Sequence, residues 1–260
     1  MLPALTRRTL GFAALLFALS QPAQAQDAPI IAAAADLKFA LTEIVAAFTA
    51  QTGMTVETVF GSTGTFATQI REGAPFQMFM AADESYVAKL ATDGFTRDEG
   101  ALYAQGRIVM MVPHGSVLTA DGSLESLKAA LAAGTIRHFA IANPDHAPYG
   151  ARAMQALQHA GLWEAIQPKL VLGENVAQAA QFATSGDAQG GMIAYSLALS
   201  DQVSALGSYA LIPADWHEPL NQRMVLLKDA GPVAEAFYAY INSGPARDIM
   251  RKYGFALAGE

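Results

Sequence analysis

The stretch Ile30-Ile31-Ala32-Ala33-Ala34-Ala35-Asp36-Leu37-Lys38-Phe39-Ala40-Leu41-Thr42-Glu43-Ile44-Val45-Ala46-Ala47-Phe48 changes its hydrophobic period once, between Ala35 and Leu37. Residues 30–35 form a short apolar run, as a buried strand does. Leu37, Leu41, Ile44, Val45 and Phe48 then recur at helical spacing until Gly53 stops the pattern. The same unit of strand, turn and helix returns downstream. Residues 55–60 alternate, Gly61-Ser62-Thr63-Gly64-Thr65 is a turn, and residues 66–71 open a helix. Further strands are expected at 76–81, 107–113, 139–142, 170–172, 191–195 and 224–227. Helical periods fall at 84–93, 124–133, 151–160, 176–183, 233–242 and 246–253.

Strands alternating with helices imply an α/β protein with mixed, mostly parallel sheets flanked by helices. The length favours two lobes over one. The expected division places residues 26–105 with 220–260 in the first lobe and 106–219 in the second, with chain crossings near 103–107 and 216–223.

Composition narrows the chemistry. At 52% hydrophobic and 15% charged residues the chain is far too apolar to be a disordered tail. A formal charge of −7, with no densely basic stretch, gives nucleic acid nothing to bind, and none is expected as a partner. There is no cysteine, which removes thiol nucleophiles, cysteine zinc sites, disulfides and iron–sulfur ligation together. The histidines, His114, His138, His146, His159 and His217, show no close metal-ligand spacing, so no metal-ion ligands and no cofactor are expected.

Residues 1–25 have Arg7-Arg8, an apolar run over 10–19, and Ala23-Gln24-Ala25 before Gln26, the pattern of a cleavable secretory signal. With no cysteine to acylate, the mature chain is expected free in a bacterial periplasm.

Four turns then stand out, each between a strand and a helix: Ala35-Asp36, Gly61 to Thr65, Pro148-Tyr149-Gly150 and Asn175-Val176. The first N–H groups of a helix lack intrahelical partners, and the helix start carries about half a positive charge. Such turns attract anions, and in open α/β sheets they lie beyond the carboxyl ends of the strands, where ligands sit. The Gly61 to Thr65 turn is neither a nucleotide P-loop nor a hydrolase nucleophile elbow, because neither motif is met.

Together these blocks resemble the periplasmic molybdate-binding proteins of ABC transporters, which have the type II periplasmic binding-protein fold. The resemblance rests on residues 32–41 around Ala35-Asp36, Phe60-Gly61-Ser62-Thr63-Gly64, residues 69–75, Ala81-Ala82-Asp83-Glu84, residues 141–150 and Lys252-Tyr253-Gly254-Phe255. It implies a ligand cleft between two lobes that holds molybdate or tungstate, a membrane permease as partner, no enzymatic activity, and a monomer. It also implies binding residues: Ala35, Asp36, Ser62 and Thr63 from one lobe, and Tyr149, Val176 and Ala194 from the other. Where relatives often have a tyrosine, the alignment places Ala194, and Tyr149 is expected to supply the missing hydroxyl.

Asp36 departs from the family pattern, since relatives often carry a neutral donor there and an ionised carboxylate repels a dianion. The expectation is therefore that Asp36 caps its helix facing away from the ligand. Two rivals remain: a binding protein for another tetrahedral oxyanion such as phosphate or sulfate, and a periplasmic hydrolase using Ser62 or Ser196 with a histidine.

Overall fold

A computed structural model of the protein describes residues 28–257 and 259. The expected signal, residues 1–25, lies outside the described residues. In chain order the first part holds β1 (Ile30–Ala34), a 3-10 turn (Ala35–Leu37), α1 (Lys38–Thr52), β2 (Glu57–Gly61), α2 (Thr63–Arg71), β3 (Phe76–Ala81), α3 (Glu84–Thr92) and β4 (Ala101–Gly106). Next come β5 (Ile108–Pro113), α4 (Glu125–Ala132), β6 (Phe139–Ala142), α5 (Pro148–His159), α6 (Trp163–Ile166), β7 (Leu170–Gly173), α7 (Val176–Thr184), β8 (Gly191–Ala194), α8 (Tyr195–Ala198), α9 (Asp201–Ser204) and β9 (Gly207–Leu211). The chain closes with β10 (Leu220–Leu226), α10 (Pro232–Ile241), α11 (Gly244–Lys252) and β11 (Ala256–Leu257).

The strands form two sheets, one ordered β11-β4-β10-β3-β1-β2 and the other β7-β6-β8-β5-β9. Both are mixed. Parallel pairing joins β2, β1 and β3 in the first sheet and β7, β6 and β8 in the second. The remaining pairs are antiparallel, a larger share than expected from the sequence. They arise because β4, β5, β9 and β10 are strands on which the chain leaves one sheet and returns from the other. β4, β9 and β11 are absent from the sequence expectation. Their short, half-polar runs, Tyr103 and Gln105 in β4 for example, give weak alternation.

β1 lies between β2 and β3, and its small side chains are buried from Ile31 onward, as suits a strand covered on both faces. α1 packs Leu41, Ile44 and Phe48 on that sheet, with Phe48 edge-on to Phe237 and Tyr240. It stops at Gly53, whose φ of 72° is the left-handed C-cap that glycine adopts without strain. The second sheet has its own core around Met110, Phe139, Ile141 and Leu157. The methionines 110 and 111 are fully buried packing groups, as the sequence suggests. No helix among the described residues is long and apolar enough to cross a membrane.

Candidate functional site

The four turns singled out in the sequence face one small, tightly closed cavity between the two sheets. From the first sheet it is lined by Ala34, Ala35 and Asp36 after β1, by Gly61, Ser62 and Thr63 after β2, and by Ala82 after β3. From the second sheet come Ala147, Pro148 and Tyr149 at the start of α5 and Val176 at the start of α7. None of these residues is a lysine, arginine or histidine. Three larger surface hollows are lined with charged side chains such as Glu84, Asp98 and Asp229.

Local capping decides which amides stay available. Ser62 caps α2, its Oγ accepting from Thr65 N–H at 3.2 Å. Gly64 N–H donates to His146 O at 2.9 Å, so Thr63 N–H is the first-turn amide left over. The Thr63 hydroxyl accepts from Ala82 N–H at 3.0 Å, which leaves its own proton to donate. Asn175 caps α7 by accepting from Ala177 and Gln178 at 3.0 and 3.1 Å, which leaves Val176 N–H at the cavity. α5 begins at Pro148, so its first amide is that of Tyr149.

Asp36 contradicts the capping expectation. The 3-10 turn has Ala34 at its N-cap position and no side-chain cap. The Asp36 carboxylate instead lies buried at the cavity, where Oδ2 accepts from Gln222 Nε2 at 2.7 Å and from the Tyr149 hydroxyl at 3.0 Å. Tyr103 donates to Gln222 Oε1 at 2.8 Å, which orients the amide so that its NH2 faces Asp36. Oδ1 has no hydrogen-bond partner. Burial pushes the Asp36 carboxyl up to about 7, against the opposing pull of the Gln222 and Tyr149 hydrogen bonds and of its own backbone amide. Burial, with the nearby Asp36 carboxylate adding to it, holds the Tyr103 and Tyr149 phenols well above their usual range. The helix-capping role is overridden because two donors from distant segments, Gln222 and Tyr149, hold the carboxylate.

Ala194 also differs from expectation. It ends β8, is fully buried, and is not among the residues lining the cavity. Its contribution is indirect: it starts α8, from which the Ser196 hydroxyl donates to the Asp36 carbonyl at 2.8 Å. The Tyr149 hydroxyl, expected to face the ligand, is engaged with Asp36 and Gln222.

Sequence reasoning missed Gln222, Tyr103 and the struts across the cleft. The signal for Gln222 was a polar residue between Leu220 and Met224, on the buried face of a strand. Arg152 on α5 meets Asp83, the N-cap of α3, at 2.7 Å, with both side chains mostly buried. Gly64 is required where α2 meets the other side, because a Cβ there would lie 2.6 Å from His146 O. His146 Nδ1 is 2.9 Å from Ser62 Oγ, a serine–histidine contact that spacing alone did not suggest. That Oγ is occupied as a helix cap and also bonds Thr65 Oγ1 at 2.8 Å. Among the described residues no group of three or more His, Asp or Glu side chains is placed to hold a metal ion.

Two α/β halves with a narrow anion-type cavity between them, ringed by amides and hydroxyls, define the architecture of a solute-binding protein. The chain belongs to the bacterial extracellular solute-binding protein family, whose model matches residues 30–256. It is 37% identical to the molybdate-binding protein ModA of Rhodobacter capsulatus over 93% of each chain. It is equally 37% identical to ModA of Azotobacter vinelandii over 94% of each. The solved structure of the Azotobacter vinelandii periplasmic molybdate-binding protein superposes with a TM-score of 0.78 at 30% identity, covering 88% of this chain and 99% of that one.

Proposed function

We propose that the protein is the periplasmic solute-binding component of an ABC importer, capturing molybdate or tungstate between its lobes and delivering the anion to a membrane permease. The observation that carries this reading is the small cavity on which helix and turn starts from both sheets converge without a cation. A dianion taken from water into such a space needs several compensating donors, and amides at helix starts supply them without fixed positive charge. Ala35, Asp36, Ser62, Thr63, Tyr149 and Val176 form the proposed contact set.

In this reading residues 26–105 and 220–260 form one lobe and 106–219 the other. The crossing strands support that division, since Leu220 pairs with Gly106 and the two connections run side by side as a hinge. Ligand contacts from both lobes favour the closed state by their difference in affinity, and closure is the form the permease reads. The protein acts as a monomer after removal of residues 1–25, uses no cofactor, binds no nucleic acid and catalyses no reaction.

Titration calorimetry with sodium molybdate, tungstate, sulfate and phosphate tests the proposal. Tight, one-to-one binding of molybdate and tungstate with weak sulfate binding is expected, because a ring of donors set for long metal–oxygen bonds leaves groups unpaired around a smaller anion. One observation favours a second reading: Asp36 lines the cavity and its Oδ1 has no partner, an acceptor that would suit the proton of hydrogenphosphate. Phosphate binding without a molybdate response would establish it.

A further inference from the structure

The two oxygens of Asp36 are unequal. Oδ2 receives two donors, Gln222 Nε2 at 2.7 Å and the Tyr149 hydroxyl at 3.0 Å. Oδ1 is equally buried and receives none. A carboxylate with one oxygen doubly satisfied and the other bare is the pattern expected of a carboxylic acid whose hydroxyl sits on the bare oxygen and lacks its acceptor. The residue lines the cavity in which the other available groups are amide and hydroxyl donors. An oxyanion held there supplies the acceptor.

We infer that Asp36 is a specificity-determining residue that binds the oxyanion as a neutral acid, Oδ1–H donating to an anion oxygen, so that capture of a fully ionised anion is coupled to uptake of one proton. This rests on the oxyanion-binding reading above. From the ionised protein the balance is Asp36 carboxylate plus one solvent proton plus the dianion, giving the neutral acid hydrogen-bonded to the dianion. No bond within the anion breaks.

The surroundings of Asp36 allow the neutral form. Tyr149 from α5 and Gln222 from β10 bond its carboxyl, Ser196 from α8 bonds its backbone carbonyl, and Tyr103 from β4 stands behind Gln222; all are uncharged. β2 and α7 bring Gly61 and Val176. Lys38, two residues on, is exposed and lies against the Phe39 ring, and no cation is among the partners of the carboxylate. Burial already lifts the carboxyl to about 7, and a dianion beside it lifts it further. A protonated aspartate also has the shape and donor of an asparagine, which is why an acidic residue is tolerated here.

The test uses the mature protein and sodium molybdate, titrated calorimetrically at pH 5.5 and 8.5 in pairs of buffers with different ionisation enthalpies. Close to one proton taken up per anion at pH 8.5 and little at pH 5.5 is expected, with affinity falling up to about tenfold per pH unit above 7. Binding at pH 8.5 without proton uptake overturns the inference while leaving the oxyanion reading intact. No response to molybdate or tungstate at either pH overturns both. Asp36→Asn should bind with a flat pH profile, no uptake and about tenfold or more tighter affinity at pH 8.5, whereas a slope equal to the wild type refutes the assignment. Should that variant fail to fold, Tyr149→Phe removes one donor from Oδ2 and should move the onset of the affinity fall to higher pH; an unmoved onset counts against the inference.

Discussion

Gln222 and Asp36, 186 residues apart in the chain, are joined by a 2.7 Å hydrogen bond between the amide of β10 and the carboxylate of the turn after β1. The contact lies where the chain re-enters the first sheet, beside the crossing at Gly106. A Cβ at Gly106 would come within 2.2 Å of the Tyr149 hydroxyl and 2.8 Å of Gln222 Nε2, so the crossing strand is narrowed to make room for the network. The hinge region and the anion cavity therefore share side chains.

The pH dependence of the unliganded protein follows from Asp36. Its carboxyl is raised from 3.8 to about 7 on folding, so between those values the folded state holds a proton the unfolded state has lost. Stability from this group is complete below about pH 4, falls as pH rises, and levels off above about 7, a change of a few kcal/mol. Urea midpoints measured from pH 4 to pH 8 should decline for the wild type. For Asp36→Asn that component should vanish.

Tyr149→Phe removes a donor that the ionised carboxylate needs more than the acid does. The unliganded variant is expected to lose about 1 to 2 kcal/mol at pH 8.5 and less at pH 5.5. An equal loss at both values would mean that the hydroxyl serves packing rather than the carboxylate.

Arg152→Met breaks the buried ion pair with Asp83 without touching the cavity lining. Leaving Asp83 unpaired should cost about 3 kcal/mol of stability. Because the pair joins α5 to the start of α3 across the cleft, molybdate affinity should also fall, and small-angle scattering should report a more open ligand-bound form.

Gly64→Ala places a methyl group against His146 O, where the two sides meet. Overpacking of this kind costs about 1 to 3 kcal/mol. The contact crosses the cleft, so molybdate affinity should drop roughly ten- to a hundredfold and the unfolding midpoint without ligand should fall with it, while circular dichroism changes little.

The local features were legible in the chain. The change of period after Ala35, the helix start at Val176 and Gly53 at the end of α1 are governed by neighbours within one turn of helix, and the structure places them at element boundaries; α5 starts at Pro148, three residues before the expected 151, because proline at the first helical position gives up only an amide that has no intrahelical partner. The four anion-type turns were readable for the same reason. The orientation of Asp36 was not, because a cap is a local preference of about 1 kcal/mol and two buried donors from α5 and β10 outweigh it. Nor was Ala194 legible as a supporting residue, since alignment to a relative gives a position in a strand and not the direction of its neighbours.

The sequence by itself determined the α/β alternation, the helix starts and their caps, and the absence of cysteine chemistry, since these depend on periodicity, on neighbouring residues or on residue type alone. Tertiary structure decided that the starts converge on one cavity, that Asp36 faces it with one oxygen satisfied and one bare, and that Arg152 and His146 bridge the cleft. Burial and the pairing of polar groups are properties of segments far apart in the chain, and they exist only once both sheets have packed.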